Sequence, residues 1–364
     1  MRRALIVVHR WIGLAAAVFL VLIAVSGTLL IFEEGLDRWA FRQMAYVSPA
    51  GQPLPLQELV TRVEAATKGE VLNLQYPAGP EFASRMIVQH GRELRFAYGN
   101  PYTGEVLGSV TQAERERTLQ RRIYNLHVRL LAGESGRTVV TIVTALTLLM
   151  TLSGIYIWWP RKILSISRRS NWRRWNFDLH SAVGFYISVF ALILTTTGLL
   201  LALDQAAYPL LKKLDAEPTP PRPRVAIEKG RPTIGPDAMI AIARSRLPGA
   251  EVRFVSGPLR SPLGEVNMRF PEDRTPGGRS FVVINGYTGE VLQVQSTRDA
   301  GQTGTKIVNT LRSLHTGAIL GPPTRLVFGL SSIALAIQSI SGFFMWWRPR
   351  RSKQNASEPR EVIA

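Results

Sequence analysis

The chain is 364 residues long, carries 44 Lys and Arg against 26 Asp and Glu for a net charge of +18, and has no cysteine. The missing thiols exclude structural disulfides, thiolate-ligated iron–sulfur clusters and covalently attached c-type haem. No Gly-x-Gly-x-x-Gly or P-loop follows an apolar strand, so no nucleotide-binding domain is visible.

In chain order, the first element is a charge-free apolar run at 11–32, preceded by Met1-Arg2-Arg3. It has the outline of a signal peptide, but a matching internal run at 181–203 argues that it is retained. An amphipathic helix at 56–66 and alternating strands at 71–76, 84–89 and 93–98 follow. A second charge-free run fills 138–159 and the third 181–203, with a basic loop between them. Residues 218–223 are a proline-rich connector, 237–247 a helix, and 251–255, 265–270 and 280–284 strands. The last apolar run is 326–347. Runs of 22 or 23 residues span the roughly 30 Å hydrocarbon core at about 1.5 Å per residue, so four transmembrane helices are expected.

The positive charge follows these runs. Arg161, Lys162, Arg168, Arg169, Arg173 and Arg174 crowd the loop between the second and third; Arg2, Arg3 and Arg10 lie at the start of the first; Arg348, Arg350, Arg351 and Lys353 follow the fourth. Basic short loops mark the cytoplasmic face, and seven of the eight tryptophans (11, 158, 159, 172, 175, 346 and 347) lie at that end. The basic charge therefore suits a lipid bilayer rather than nucleic acid. The expected order is a first span within 1–32, an outer module at 33–136 ending in a pre-membrane helix, and a second span at 137–160. A cytoplasmic loop at 161–178 leads to a third span at 179–203, an outer module at 204–324, a fourth span at 325–348 and a cytoplasmic tail at 349–364.

The chain is internally duplicated. His9 is followed by Gly13 and Gly27, and His180 by Gly184 and Gly198, at the same spacings. Leu126-His127 precedes Gly154 and Trp158-Trp159 as Leu314-His315 precedes Gly342 and Trp346-Trp347. Asn100-Pro101-Tyr102-Thr103-Gly104-Glu105-Val106 recurs as Asn285-Gly286-Tyr287-Thr288-Gly289-Glu290-Val291, a hairpin signature whose glycine supplies positive φ. Four of the five histidines thus occupy repeat-equivalent positions.

His9, Gly13 and Gly27 share one helix face, as do His180, Gly184 and Gly198, because four and eighteen residues are about one and five turns. Small residues beside a histidine would leave room for a flat porphyrin, although glycines also serve helix contact. Topology puts His9 and His180 at the cytoplasmic face and His127 and His315 at the outer face, so ligand pairs must cross the halves. A zinc or copper ion would be two ligands short at either pair, whereas haem needs two axial ligands only. Two haems, each held by a histidine pair, are therefore expected in preference to bare metal ions. Arg10, Arg122 and Arg312, with Arg121 nearby, are candidates to meet haem propionates, or equally lipid phosphate. His90 has no repeat partner and no assigned role; Tyr102 and Tyr287 are expected to serve the turns.

The His-Arg-Trp-x-Gly start, the Tyr-Thr-Gly-Glu-Val hairpins and the Ser-Gly-x-x-x-Trp-Trp endings resemble the PepSY-associated transmembrane proteins over about residues 3–351. The resemblance implies a multi-pass inner-membrane α+β protein: a pseudo-two-fold bundle of four helices, two periplasmic PepSY modules, and b-type haems between the helices. It further implies a haem-dependent oxidoreductase that passes electrons outward to a ferric siderophore, with a quinol or a cytoplasmic reductase as donor. No residue is expected to act as acid, base or nucleophile. A non-enzymatic binding or regulatory protein and a haem or iron-chelate permease are the alternatives. Four helices without a broken midplane disfavour the permease.

Overall fold

A computed structural model describes residues 1–347 except 78, 168–170, 218–219, 229, 258–260, 276 and 300. Arg168 and Arg169 of the basic loop, Pro218 of the connector, and Arg348, Arg350, Arg351 and Lys353 with the tail lie outside the described residues. The first half runs through α1 (Arg2–Leu30), α2 (Glu33–Ala40), α3 (Arg42–Ala45) and α4 (Leu56–Thr67). Then come β1 (Glu70–Gln75), β2 (Ser84–His90), β3 (Glu93–Gly99), β4 (Val106–Thr111), α5 (Gln112–Glu116), α6 (Leu119–Arg129) and α7 (Gly133–Trp158). The second half has α8 (Trp172–Ala202), α9 (Asp204–Lys212), α10 (Gly235–Arg246), β5 (Glu251–Ser256), β6 (Leu263–Arg269), β7 (Ser280–Asn285), β8 (Val291–Gln295), α11 (Thr303–His315) and α12 (Pro322–Trp346).

Helices α1, α7, α8 and α12 are long and apolar enough to cross a membrane, as the charge-free runs predict. α1 packs on α7 and α12, and α8 on the same two, closing a four-helix ring. The helices outrun the charge-free stretches. α8 begins at Trp172, where the Asn171 side chain accepts the Arg174 amide at 3.0 Å. It carries Asp178, 2 % exposed, paired one turn back with Arg174 at 2.9 Å. Hydroxyls inside the spans donate to their own helix, as Thr147 does to the Val143 carbonyl at 2.7 Å, because lipid offers no other partner. At the end of the bundle that carries the 159–171 loop, Trp158 stacks on Phe185 with centroids 3.9 Å apart and Trp172 on Trp175 at 5.2 Å.

The segments beyond the other end build one sheet rather than two. Its eight strands run β4-β3-β2-β1-β5-β6-β7-β8, all antiparallel, and the halves join where β1 pairs with β5. Leu74 lies opposite Val255 at that seam, and both are fully buried. Alternation along each strand sends Met86, Ala97, Val266 and Val282 to the same face. There they meet Leu59, Val60 and Val63 of α4 and Met239, Ile240 and Ala243 of α10 in one continuous core. Asp237 of α10 accepts the Leu56 and Gln57 amides at 3.0 and 2.8 Å, capping α4 from the other half. The duplicated hairpins form as predicted: Asn100 and Asn285 accept the amides of Tyr102 and Tyr287, while Gly104 and Gly289 adopt φ of 73° and 77°.

Candidate functional site

Each of the four duplicated histidines leans on a different membrane helix, and all four make the same kind of contact. His9 on α1 places Nδ1 2.9 Å from the Ser153 hydroxyl of α7. His180 on α8 places Nδ1 2.9 Å from the Ser341 hydroxyl of α12. His127, near the end of α6, comes down onto α1, with Nδ1 2.9 Å from the Ile23 carbonyl and 3.4 Å from the Ser26 hydroxyl. His315, the last residue of α11, comes down onto α8, 3.0 Å from the Thr197 hydroxyl.

Proton accounting assigns the tautomers. A carbonyl only accepts, so His127 Nδ1 donates to Ile23. The hydroxyls have already given their protons to their own helices: Ser153 to the Met150 carbonyl at 3.1 Å, Ser341 to Gln338 at 3.0 Å and Thr197 to Ile193 at 2.6 Å. Each therefore accepts from Nδ1–H. This accounting assigns the Nδ1–H tautomer to all four imidazoles, which would leave the Nε2 lone pair available, as a metal ligand needs.

A glycine directly after each hydroxyl lets the ring approach. A Cβ at Gly27 would lie 2.9 Å from His127 Cε1, and one at Gly198 3.0 Å from His315 Cε1. At Gly154 and Gly342 it would lie 3.4 Å from Cε1 of His9 and His180. Gly27 and Gly198 thus receive the imidazole of a helix other than their own. Gly13 and Gly184 instead face the ends of the Met150 and Gln338 side chains at 3.0 and 3.3 Å.

The histidines meet across the halves. His127 and His315 have ring centroids 6.2 Å apart with planes tilted by 46°, a separation that suits one metal atom with an imidazole nitrogen about 2 Å away on each side. His9 and His180 lie within electrostatic reach of one another at the loop end. Among the described residues no three His, Asp or Glu gather as a bare-ion site. The donor set of each pair fits a group that brings its own equatorial ligands, and haem is such a group.

The predicted propionate partners are engaged variously. Arg312 faces Glu33 at 3.4 Å, Arg10 lies 5.8 Å over the Trp11 ring, Arg121 bonds Glu116 at 2.9 Å, and Arg122 is exposed on α6. His90, at the end of β2, lies 3.0 Å from the Lys68 carbonyl, away from the other four. Tyr102 donates to the Pro80 carbonyl and Tyr287 accepts the Glu228 amide, both in turn-bracing roles. The hydroxyls Ser26, Ser153, Thr197 and Ser341 are functional candidates to which the sequence assigned no role, Ser153 and Ser341 entering only as part of the Ser-Gly-x-x-x-Trp-Trp endings. Their signal was present: each immediately precedes a spaced glycine within an apolar run.

The family model of the PepSY-associated TM region matches residues 6–348, nearly the whole chain, and the chain belongs to that family. No curated protein matches it.

Proposed function

We propose that this family member is a di-haem b oxidoreductase of a bacterial inner membrane that carries electrons outward to a periplasmic acceptor. The observation that carries the reading is the arrangement of four histidines whose Nδ1 atoms each meet an oxygen of another helix, one pair towards each end of a four-helix bundle. His9 and His180 would hold one haem, His127 and His315 the other. When bound, haem would supply a one-electron carrier whose potential its histidine ligands would tune. The chain's own part is to present the lone pairs, fix the rings and keep the bundle interior dry.

The two halves are read as related by a pseudo-two-fold axis. The palindromic strand order and the facing of Leu74 and Val255 at its centre support this. The basic loop with Arg161, Lys162, Arg173 and Arg174 supports a cytoplasmic loop end and a periplasmic sheet, by the positive-inside rule. A ferric siderophore is the preferred acceptor, because reduction to ferrous iron weakens binding by hard oxygen ligands. A quinol or a cytoplasmic reductase is the proposed donor.

A pyridine haemochrome assay on the purified protein is expected to approach two haems per chain, and a value near zero overturns the reading. In oriented vesicles with a ferrous trap outside, His315→Ala is expected to leave the loop-end centre reducible yet abolish ferrous production from an external chelate. Normal production by that variant would sink the outward path.

A further inference from the structure

The four hydroxyl–glycine steps recur more regularly than any helix contact requires. Ser26-Gly27, Ser153-Gly154, Thr197-Gly198 and Ser341-Gly342 place one step in each membrane helix, and each receives one histidine from another element. The carbonyl three residues before the hydroxyl completes the motif. Ile23 accepts His127 directly, Met150 and Gln338 take the serine protons, and the Leu194 carbonyl lies 3.3 Å from the Thr197 hydroxyl. Many other Ser and Thr in these spans, such as Thr147 and Ser188, bond only within their own helix. The four that precede a histidine-facing glycine are set apart by what reaches them.

We propose that Ser153 and Ser341 at the loop end, and Thr197 at the sheet end, are positioning residues that hold His9, His180 and His315 in the Nδ1–H tautomer and set how strongly Nε2 donates, the Ile23 carbonyl doing the same for His127. In a lipid-enclosed bundle an Nδ1–H without an acceptor has no water to turn to, so the proton stays where the acceptor is. Polarising Nδ1–H towards oxygen raises the basicity of the opposite nitrogen. A more basic axial ligand favours the oxidised metal. Removing the acceptor should therefore raise the midpoint potential of the centre it serves. The tuning half of this inference rests on the haem reading; the tautomer half does not.

The two halves are tested separately on the full-length protein. With only five histidines in the chain, selective ¹⁵N-histidine labelling in micelles resolves each ring without haem present. Wild-type His180 is expected to show a protonated, slowly exchanging Nδ1. Ser341→Ala should make that proton exchange faster and admit the other tautomer, and Ser341→Thr should restore it. An unchanged Nδ1 signal in Ser341→Ala overturns the positioning role. In haem-loaded protein, Ser153→Ala and Ser341→Ala should shift one of two potentiometric transitions upward, leave the other in place, and keep full haem content. An unmoved potential, or both transitions moving together, overturns the tuning role. Protein that holds no haem at all removes the function proposed above while the labelling experiment still decides the tautomers.

Discussion

His9 and His180 ride on α1 and α8 themselves, whereas His127 and His315 arrive on α6 and α11, short helices that return the chain from the sheet to the bundle. The contact chemistry is shared but the clearances differ. At the sheet end a Cβ on the receiving glycine would come within 2.9 or 3.0 Å of the ring, against 3.4 Å for both rings at the loop end. The loop-end pair is thus placed by the membrane helices themselves and by the Ser153 and Ser341 hydroxyls. The sheet-end pair is packed more tightly and also depends on everything that aims α6 and α11. A duplicated set of histidines therefore need not be equally robust at its two ends.

The largest expected effect follows from the clearances. Gly27→Ala and Gly198→Ala should displace the sheet-end imidazoles, since overpacking costs about 1–3 kcal/mol, and on the proposed di-haem reading should drop the haem count from two towards one. Gly154→Ala and Gly342→Ala introduce an ordinary van der Waals contact and should leave the count near two. Haemochrome assay of the four variants checks this, and equal losses at both ends would break the comparison.

A second effect tests the dependence on the sheet. Leu74, fully buried at the β1–β5 seam, packs into the core that both halves share. Leu74→Ala should cost about 2–5 kcal/mol of sheet stability, lower the melting temperature of the infrared β band, and loosen the sheet-end centre first. If the loop-end centre is lost at the same temperature, the two ends are not independent.

Much of this arrangement was legible in the residues, and the exceptions have physical causes. The four spans could be read because long apolar runs in a chain of this charge have few alternatives. Their true starts could not, because a scan for charge halts at Arg173, Arg174 and Asp178, while the helix continues through them by pairing Arg174 with Asp178. The cross-half pairing of His127 with His315 followed from duplication and topology, and the structure brings those rings together. The histidine-holding hydroxyls were hidden because Ser and Thr in membrane helices usually bond their own backbone, as most do here. The shared sheet was hidden for a different reason: nothing in β1 names β5 as its partner, and strand edges far apart in sequence join only once both halves are placed.

A smaller effect sharpens the account of that seam. Asp237 caps α4 from the opposite half, and no comparable bond runs back from α4 to α10 among the described residues. Asp237→Ala should cost about 1 kcal/mol, as lost caps do, and speed amide exchange at Leu56 and Gln57. α10 itself should stay protected; equal exposure of both helices would mean that the cap serves the whole seam.

The smallest effect separates the two helices that deliver the sheet-end histidines. α6 begins on the hydroxyl of Thr118, which accepts the Arg121 amide at 3.3 Å and does not titrate. α11 begins on a carboxylate: Asp215 accepts the Thr305 hydroxyl at 2.6 Å and its amide at 3.0 Å. The hydroxyl bond from Thr305, aided by the backbone amides and by Lys212, holds this carboxyl below its usual range, against the opposing effect of burial. A depressed carboxylate contributes stability above its unfolded value, about 3.9, and loses it as pH falls through the folded value. From pH 7 to 5 nothing should change; below about pH 4 the first turn of α11 should fray. Amide exchange at Thr305 and Lys306, with intrinsic rates corrected for pH, is the measurement. Asp215→Asn should flatten the acid-side rise for α11 and leave α6 as it was. Persistence of the rise in that variant would move its origin away from Asp215.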